Sequence, residues 1–358
     1  MPELWTDREL DQAIADQPAG PALSPAARAK AAAAMEAAFT AELTPSPRRT
    51  RLVAAAAVVA AVAGGLFAVQ AIDGDAPAAS ADASLALAAS NTLGTPDAPL
   101  AEGQYRYLAR QAWDMSFATT ATDKPLAVLI HSARETWVPA DRAEEWLRRD
   151  TTHGWTWMVG DEALARAEGD NGLLGSLRRT SADQRGACGD FPDDNGELGG
   201  TPDDGKPCAE RRGSWDSPAP AFLDALPRDP AALYSDLIAE ADGVPATALY
   251  LATGVLASPD ATPPLRAAVY EALTRLPGLE TTDNAANLDG RVGTALGVAH
   301  SALRYEIIID PGTGLLIGDR TVLLDPDADP YYAGLAEGTP IGFSSVTIAV
   351  APDQGAVP

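Results

Sequence analysis

Residues 303–324 read LRYEIIIDPGTGLLIGDRTVLL, and this stretch indicates the fold class of the chain. Two largely apolar runs, at 303–309 and 315–324, flank the turn-forming sequence DPGTG at 310–314. Proline presets the backbone of one turn position and glycine tolerates positive φ, so these five residues favour a tight reversal between two strands. The stretch therefore predicts a β-hairpin.

Alternation of polar and apolar residues marks further strands on both sides of a helical block. The strands are predicted at 104–115, 127–138, 155–159, 290–299 and 343–351. The helices are predicted at 219–226, 229–242, 244–256 and 264–276. Because these helices are not interleaved one per strand, the order predicts an α+β fold. We expect a curved, half-barrel-like antiparallel sheet with a helical block inserted between its strands.

An apolar run, Leu52–Val69, lies between three arginines and two aspartates. Eighteen uncharged residues in a helix are long enough to cross the core of a bilayer. Basic residues stay on the cytoplasmic side of a membrane, so the arginines predict a cytoplasmic N-terminus. We therefore predict a transmembrane helix that acts as an uncleaved signal anchor. The eight alanines of the run make it only modestly apolar, which leaves a buried helix of a soluble protein as the alternative.

This run divides the chain into four predicted segments. They are a short helical cytoplasmic segment at 1–51, a transmembrane helix at 52–72, a linker at 73–83 and an extracytoplasmic α+β domain at 84–358. These segments predict a protein of the plasma membrane that crosses the membrane once and has its C-terminal domain outside the cell.

The chain is strongly acidic, with 50 acidic and 26 basic residues and a net charge of −24. From residue 73 onward there are 43 acidic and 20 basic residues. A domain with this charge repels nucleic acid and anionic lipid surfaces through its overall field. We therefore predict no nucleic-acid partner.

The two cysteines of the chain, Cys188 and Cys208, both lie on the predicted extracytoplasmic side. Outside the cytosol, such a pair most simply forms a disulfide, which would staple the polar loop 188–208. The loop is rich in aspartate, but Pro192 falls where a calcium-binding loop needs a ligand. Whether the acidic part, 190–204, binds a cation is left open.

Recognisable catalytic motifs are absent from the sequence. There is no G-x-S-x-G, no H-E-x-x-H and no phosphate-binding loop. Each of the three histidines, His131, His153 and His300, lies in or beside a predicted strand, where a structural role is expected. The segment 1–51 holds neither histidine nor cysteine, which excludes a zinc-binding anti-sigma domain. We predict that the chain is not an enzyme and that it has no catalytic, cofactor-binding or metal-ligating residues.

Four motifs carry a resemblance to a known family. They read ALPRDPAALY at 225–234, PLRAAVYEAL at 264–273 followed by LPG at 276–278, GRVG at 290–293 and YEIIIDPGTGLL at 305–316. Together they resemble an uncharacterised actinobacterial family of single-pass membrane proteins with an exported C-terminal domain. Its members often accompany extracytoplasmic-function sigma factors, so the resemblance implies a regulatory or sensory role. The hairpin is also similar to that of lipoprotein-carrier-like half-barrels, which bind acyl chains or lipoproteins.

The chain has a predicted cytoplasmic part and a predicted extracytoplasmic part, and it has no recognisable catalytic motif. This combination predicts a membrane-anchored extracytoplasmic binding or sensory protein. An apolar groove between sheet and helices would take an apolar or lipid ligand. Residues 1–47 would contact a cytoplasmic regulatory protein such as a sigma factor. The alternative is an anchored carrier or chaperone for lipids or lipoproteins without signalling, and a third possibility is a cell-envelope hydrolase.

Overall fold

Alternating side chains along the strand-forming stretches build one antiparallel sheet. The computed structural model describes residues 80–95, 97–169, 172–189, 191, 213–286 and 290–358. The strands of this part are β1 (Tyr105–Thr119), β2 (Pro125–Pro139), β3 (Glu145–Val159), β4 (Thr180–Ala187), β5 (Leu279–Ala286), β6 (Val292–His300), β7 (Leu303–Ile309), β8 (Leu316–Leu323) and β9 (Pro340–Ala351). Its helices are α1 (Ala81–Gly94), α2 (Glu162–Ala167), α3 (Gly172–Ser176), α4 (Pro220–Ala225), α5 (Pro230–Glu240), α6 (Pro245–Ala257) and α7 (Pro263–Leu273), with a 3-10 turn at Pro330–Tyr332.

Two meanders make up the sheet, whose strand order is β4-β3-β2-β1-β9-β8-β7-β6-β5. Strands β1 to β4 form the first meander, and β5 to β9 form the second. They are joined where β1 pairs with β9 in antiparallel register, with Arg110 opposite Val346. The centre of the sheet is therefore built from two parts of the chain that lie far apart in sequence.

This architecture corrects the fold class predicted from the sequence. The predicted class combined a half-barrel-like sheet, an inserted helical block and a transmembrane helix. The structure instead shows a nine-stranded antiparallel sheet with a few helices. Within the described ranges, no helix is both long and apolar enough to cross a membrane. The stretches predicted as a cytoplasmic helical segment, 1–51, and as a transmembrane helix, 52–72, lie outside the described residues.

The two strands that sequence analysis missed are the two edges of the sheet. Strand β4 reads TSADQRGA and β5 reads LETTDNAA, and neither alternates between polar and apolar residues. An edge strand pairs on one side only, and polar side chains there discourage pairing with other chains. Apolar periodicity therefore gives no signal for these two strands.

The main apolar core lies between the second meander and the helical block. Leu296, Ile307 and Ile309 of the sheet belong to the same buried cluster as side chains of α5, α6 and α7. Helix α6 packs against β6, β7 and β8. Complete burial of one leucine, such as Leu249, contributes about 1.5–3 kcal/mol to folding. This packing holds α6 across one face of the sheet.

The hairpin predicted at 310–314 is confirmed. Strands β7 and β8 are antiparallel neighbours, and the amide of Asp310 donates to the carbonyl of Leu315 at 2.9 Å. Gly314 has a φ of +70°, and a Cβ there would lie 2.3 Å from the carbonyl oxygen of Ala88 in α1. Glycine is required because the turn both adopts positive φ and contacts the helix backbone directly.

Helix α1 is also tied to α7 by a buried arginine. Arg266 is 2% exposed, and its Nε donates to Thr92 Oγ1 at 3.1 Å. Its Nη2 donates to Asp97 Oδ1 at 3.0 Å. A guanidinium at this depth is tolerated only with such partners, so Arg266 fixes where α1 docks.

Candidate functional site

A groove of about 320 Å³ lies between the sheet and helix α6. Strands β1, β2, β8 and β9 form its floor, α6 forms one wall, and the loops 216–218 and 258–260 border it. We call it the sheet–helix groove and define it by Leu108, Arg110, Arg134, Tyr250, Gly254 and Asp319. An apolar groove was expected here, whereas the floor of the observed groove carries charged side chains.

A second concavity, of about 480 Å³, lies between α4 and α5. It is lined by residues that include Phe222, Leu226 and Glu240, and it is the more open of the two to solvent. Small-molecule sites enclose most of the ligand surface. The sheet–helix groove, which has walls from both sheet and helix, is therefore the stronger candidate.

Strand alternation brings two arginines together on the groove floor. Leu108 and Arg110 of β1 face the groove, while the intervening Ala109 belongs to a small cluster on the opposite face. Arg134 of β2 lies directly opposite Arg110 in the β1–β2 register. Directly opposed residues have Cβ atoms about 4.5–5.5 Å apart. The two guanidinium side chains therefore leave the sheet side by side.

Each floor arginine is bound to a carboxylate. Arg110 Nη2 lies 3.2 Å from Asp319 Oδ1, and Arg134 Nε lies 2.6 Å from Asp150 Oδ1. Arg148 Nε also lies 2.8 Å from Asp150 Oδ2. The side chains of Arg110 and Arg134 are 48% and 62% exposed, so water screens these pairs. The pairs orient the arginines at the floor while leaving them accessible.

Asp260, which borders the groove, forms an ion pair with Arg142. Arg142 is held in place because Trp146 Nε1 donates to its carbonyl oxygen at 3.1 Å. Burial, together with the charge of Arg106, lowers the pKa of Arg142 to about 10. That pKa is far above neutral pH, so Arg142 remains charged and the pair is present under physiological conditions.

A carboxyl beside the floor has an altered proton affinity. Asp114 follows Arg110 by four residues and lies on the same face of β1. Desolvation raises the pKa of Asp114; the charge of Arg110 opposes this change and that of Asp319 adds to it. Solvent still reaches the side chain. Asp114 therefore takes up a proton at a less acidic pH than an ordinary aspartate.

The histidines singled out by sequence analysis do not line the groove. His131 stacks on Trp113 with ring centroids 3.8 Å apart, and the ring of His153 lies 4.5 Å from that of His131. Burial and the charge of His153 lower the pKa of His131 to about 4, so the His131 ring is neutral at pH 7. His300 is exposed at the end of β6.

The structure describes only some of the residues on which the metal and disulfide predictions depend. Across the described ranges, no group of three or more His, Cys, Asp or Glu side chains is arranged to hold a metal ion. Cys188 directly follows β4, and its amide donates to the carbonyl of Glu144 at 3.0 Å. Cys208 and the acidic stretch 192–204 lie outside the described residues. The Cys188–Cys208 disulfide and cation binding by the loop therefore stay predictions.

Sequence analysis did not single out Arg110, Arg134 or Asp319. A signal was present in β1, where Leu108 and Arg110 alternate with the residues interpreted as core. Alternation does not show what covers a strand face, however. Asp319 lies 209 positions away from Arg110 along the chain, so their contact exists only in the folded sheet.

Comparison with family models, curated proteins and solved structures finds no match to the chain. The resemblance to the actinobacterial membrane family therefore stays a prediction.

Proposed function

We propose that this chain is an extracytoplasmic binding or sensory protein whose sheet–helix groove takes a small-molecule ligand. The groove itself carries the proposal, because it combines apolar side chains with accessible charged groups between the sheet and helix α6. Sites for small molecules are typically apolar concavities with a few polar groups that orient the ligand. The proposal keeps the predicted location at the plasma membrane with this domain outside, and a cytoplasmic regulatory partner for residues 1–47.

The volume of the groove supports a compact ligand. Small-molecule sites range from roughly 300 to 1,000 Å³, and about 320 Å³ lies near the lower limit. A two-chain lipid needs more room than this. The groove thus favours the binding or sensory hypothesis over the lipid-carrier alternative.

A steric block of the groove tests this function. Thr253 lies on the groove side of α6, so Thr253→Trp places a large ring in the space proposed for the ligand. We expect calorimetric titration of the full chain with 2-naphthamide, a neutral aromatic probe, to show saturable binding. The Thr253→Trp variant should lose that binding by at least about tenfold.

A matched control is available on the same helix. Thr247 is exposed and does not line the groove, so Thr247→Trp makes the same change away from the proposed site. It should bind the probe like the unmodified chain, and it corrects for non-specific uptake of the probe. Equal binding by all three proteins would contradict the proposed function. The absence of saturable binding of both this probe and its anionic analogue, 2-naphthoate, to the unmodified chain would also contradict it.

A further inference from the structure

Resting on the proposed function, we infer that Arg110 and Arg134 form an anion subsite, so that the ligand carries a carboxylate, sulfonate or phosphate on a small apolar body. The subsite is the floor of the sheet–helix groove where β1 and β2 are neighbours. The groove could also bind a neutral ligand without using this anion subsite. The proposal that the ligand is an anion is therefore separate from the proposal that the groove binds a ligand.

The juxtaposition of two like charges is the first observation. Arg110 and Arg134 occupy directly opposed positions of an antiparallel pair. Like charges at such positions repel each other and destabilise the pair. An anion placed between the two guanidinium groups would remove that repulsion.

The donor capacity of the two side chains is the second observation. A guanidinium has five N–H groups in a fixed planar arrangement suited to two-point binding of carboxylates and phosphates. Arg110 bonds Asp319 through Nη2, and Arg134 bonds Asp150 through Nε. These are the side-chain bonds that both make within the described ranges, so each arginine keeps further donors for a ligand.

The charges around the groove indicate where the anionic group of the ligand would bind. Within the described ranges, Arg110, Arg134 and the neighbouring Arg148 form ion pairs with two carboxylates, those of Asp150 and Asp319. One positive charge is thus in excess among the groups in direct contact.

Three further carboxylates lie near the groove. Asp216 borders the groove from its loop, where it accepts a bond from the Ser214 hydroxyl, and Asp260 is paired with Arg142. Asp114 lies on the Arg110 side of the floor. An anion would therefore bind at the sheet, closer to Arg134 than to Arg110.

Apolar side chains adjoin the subsite and would hold the body of the ligand. Leu108, Val138 and Val346 lie beside the arginines on the floor, and Tyr250 faces them from α6. Tyr250 is 56% exposed, so its ring is accessible to a ligand. A ring bound here would cover Tyr250 while its acidic group reached the arginines.

A pair of probes that differ only in charge tests the subsite. The full chain is titrated by calorimetry with 2-naphthoate and with 2-naphthamide, which share one ring system. We expect 2-naphthoate to bind at least about tenfold more tightly, since hydrogen bonds to charged groups are the stronger ones. Arg134→Gln should remove that preference and leave 2-naphthamide binding unchanged, and Arg134→Lys should retain part of it.

The control variant is Arg166→Gln, which removes one positive charge from an exposed pair with Glu162 on α2, outside the groove. It should leave both affinities unchanged. If both probes bind with equal affinity, or if Arg134→Gln weakens both alike, the anion subsite is refuted while the binding groove stands. If neither probe binds the unmodified chain, the proposed function fails and the subsite fails with it.

Discussion

Tyr270 illustrates how a single residue departs from the usual pairing of buried polar groups. Its ring is completely buried in α7, and its hydroxyl has no hydrogen-bond partner among the residues that the structure describes. Burial raises the pKa of Tyr270 above its usual range, so the group is a neutral phenol at all ordinary pH values. We predict that Tyr270→Phe leaves the free energy of unfolding unchanged or increases it by up to about 1 kcal/mol. The measurement is urea unfolding of the full chain.

Tyr107 provides the matched control for this prediction. Its hydroxyl donates to Glu135 Oε1 at 2.6 Å, and its ring is also buried. Tyr107→Phe removes a bond to a charged acceptor and should lower the free energy of unfolding by about 1.5–3 kcal/mol. Equal losses of stability in the two variants would show that Tyr270 has a partner after all.

His131 should make the stability of the sheet depend on pH. Its pKa is lowered from the ordinary 6.5 to about 4, first by burial and then by the charge of His153. Between these values the unfolded chain binds a proton that the folded chain does not, so stability falls as the pH is lowered from about 6.5 to about 4. In the His131→Gln variant this fall should be smaller, as measured by urea unfolding at a series of pH values.

The exposed His300 supplies a comparison for the pH effect. His300→Gln should show the same fall in stability between pH 6.5 and 4 as the unmodified chain. Superimposable pH profiles for the His131→Gln variant and the unmodified chain would be incompatible with the role assigned to His131.

At the level of elements, Gly254 determines how closely α6 approaches the loop that borders the groove. A Cβ on Gly254 would lie 2.2 Å from the carbonyl oxygen of Trp215, well inside contact distance. Gly254→Ala must displace either the helix or the loop, and overpacking of this kind typically costs about 1–3 kcal/mol. We therefore predict lower stability in urea unfolding and weaker binding of 2-naphthamide, because the groove lies at this contact.

A second helical glycine separates steric displacement from helix propensity. Gly175 in α3 has nothing within 4 Å of the position of a Cβ. Gly175→Ala should be neutral or stabilise the fold by up to about 1 kcal/mol, as expected for replacing glycine in a helix. A stabilising effect of Gly254→Ala as well would mean that α6 and the loop are less closely packed than the structure shows.

Elements with strong local signals could be predicted from the sequence, and elements without them could not. The hairpin of β7 and β8 is encoded by two apolar runs around a DPGTG turn, so neighbouring residues suffice to specify it. The edge strands β4 and β5 have no comparable pattern, because only one side of each is paired and their side chains are mostly polar. Their pairing with β3 and β6 is a tertiary contact.

Across the entire described region, the groove depends on the meeting of the two meanders. Its arginines come from β1 and β2, whereas Asp319 comes from β8, and the β1–β9 pairing brings them together. Helix α6 reaches the groove because its buried face packs on β6, β7 and β8. A change that weakens β1–β9 pairing should therefore affect the groove before it affects either meander.

Local patterns in the amino-acid sequence were sufficient to predict the antiparallel hairpin and the proline-initiated helices α5 and α7. The composition alone showed the strongly acidic character of the chain. The local patterns led to a wrong fold class, because the two polar edge strands gave no signal and alternation within single strands does not show that two meanders join into one nine-stranded sheet. The arginine pair and its carboxylates depend on contacts between residues up to 209 positions apart. Periodicity reports which side chains share a face of one element, but it does not report which element covers that face. The groove and its charges are for this reason properties of the packed sheet and helix.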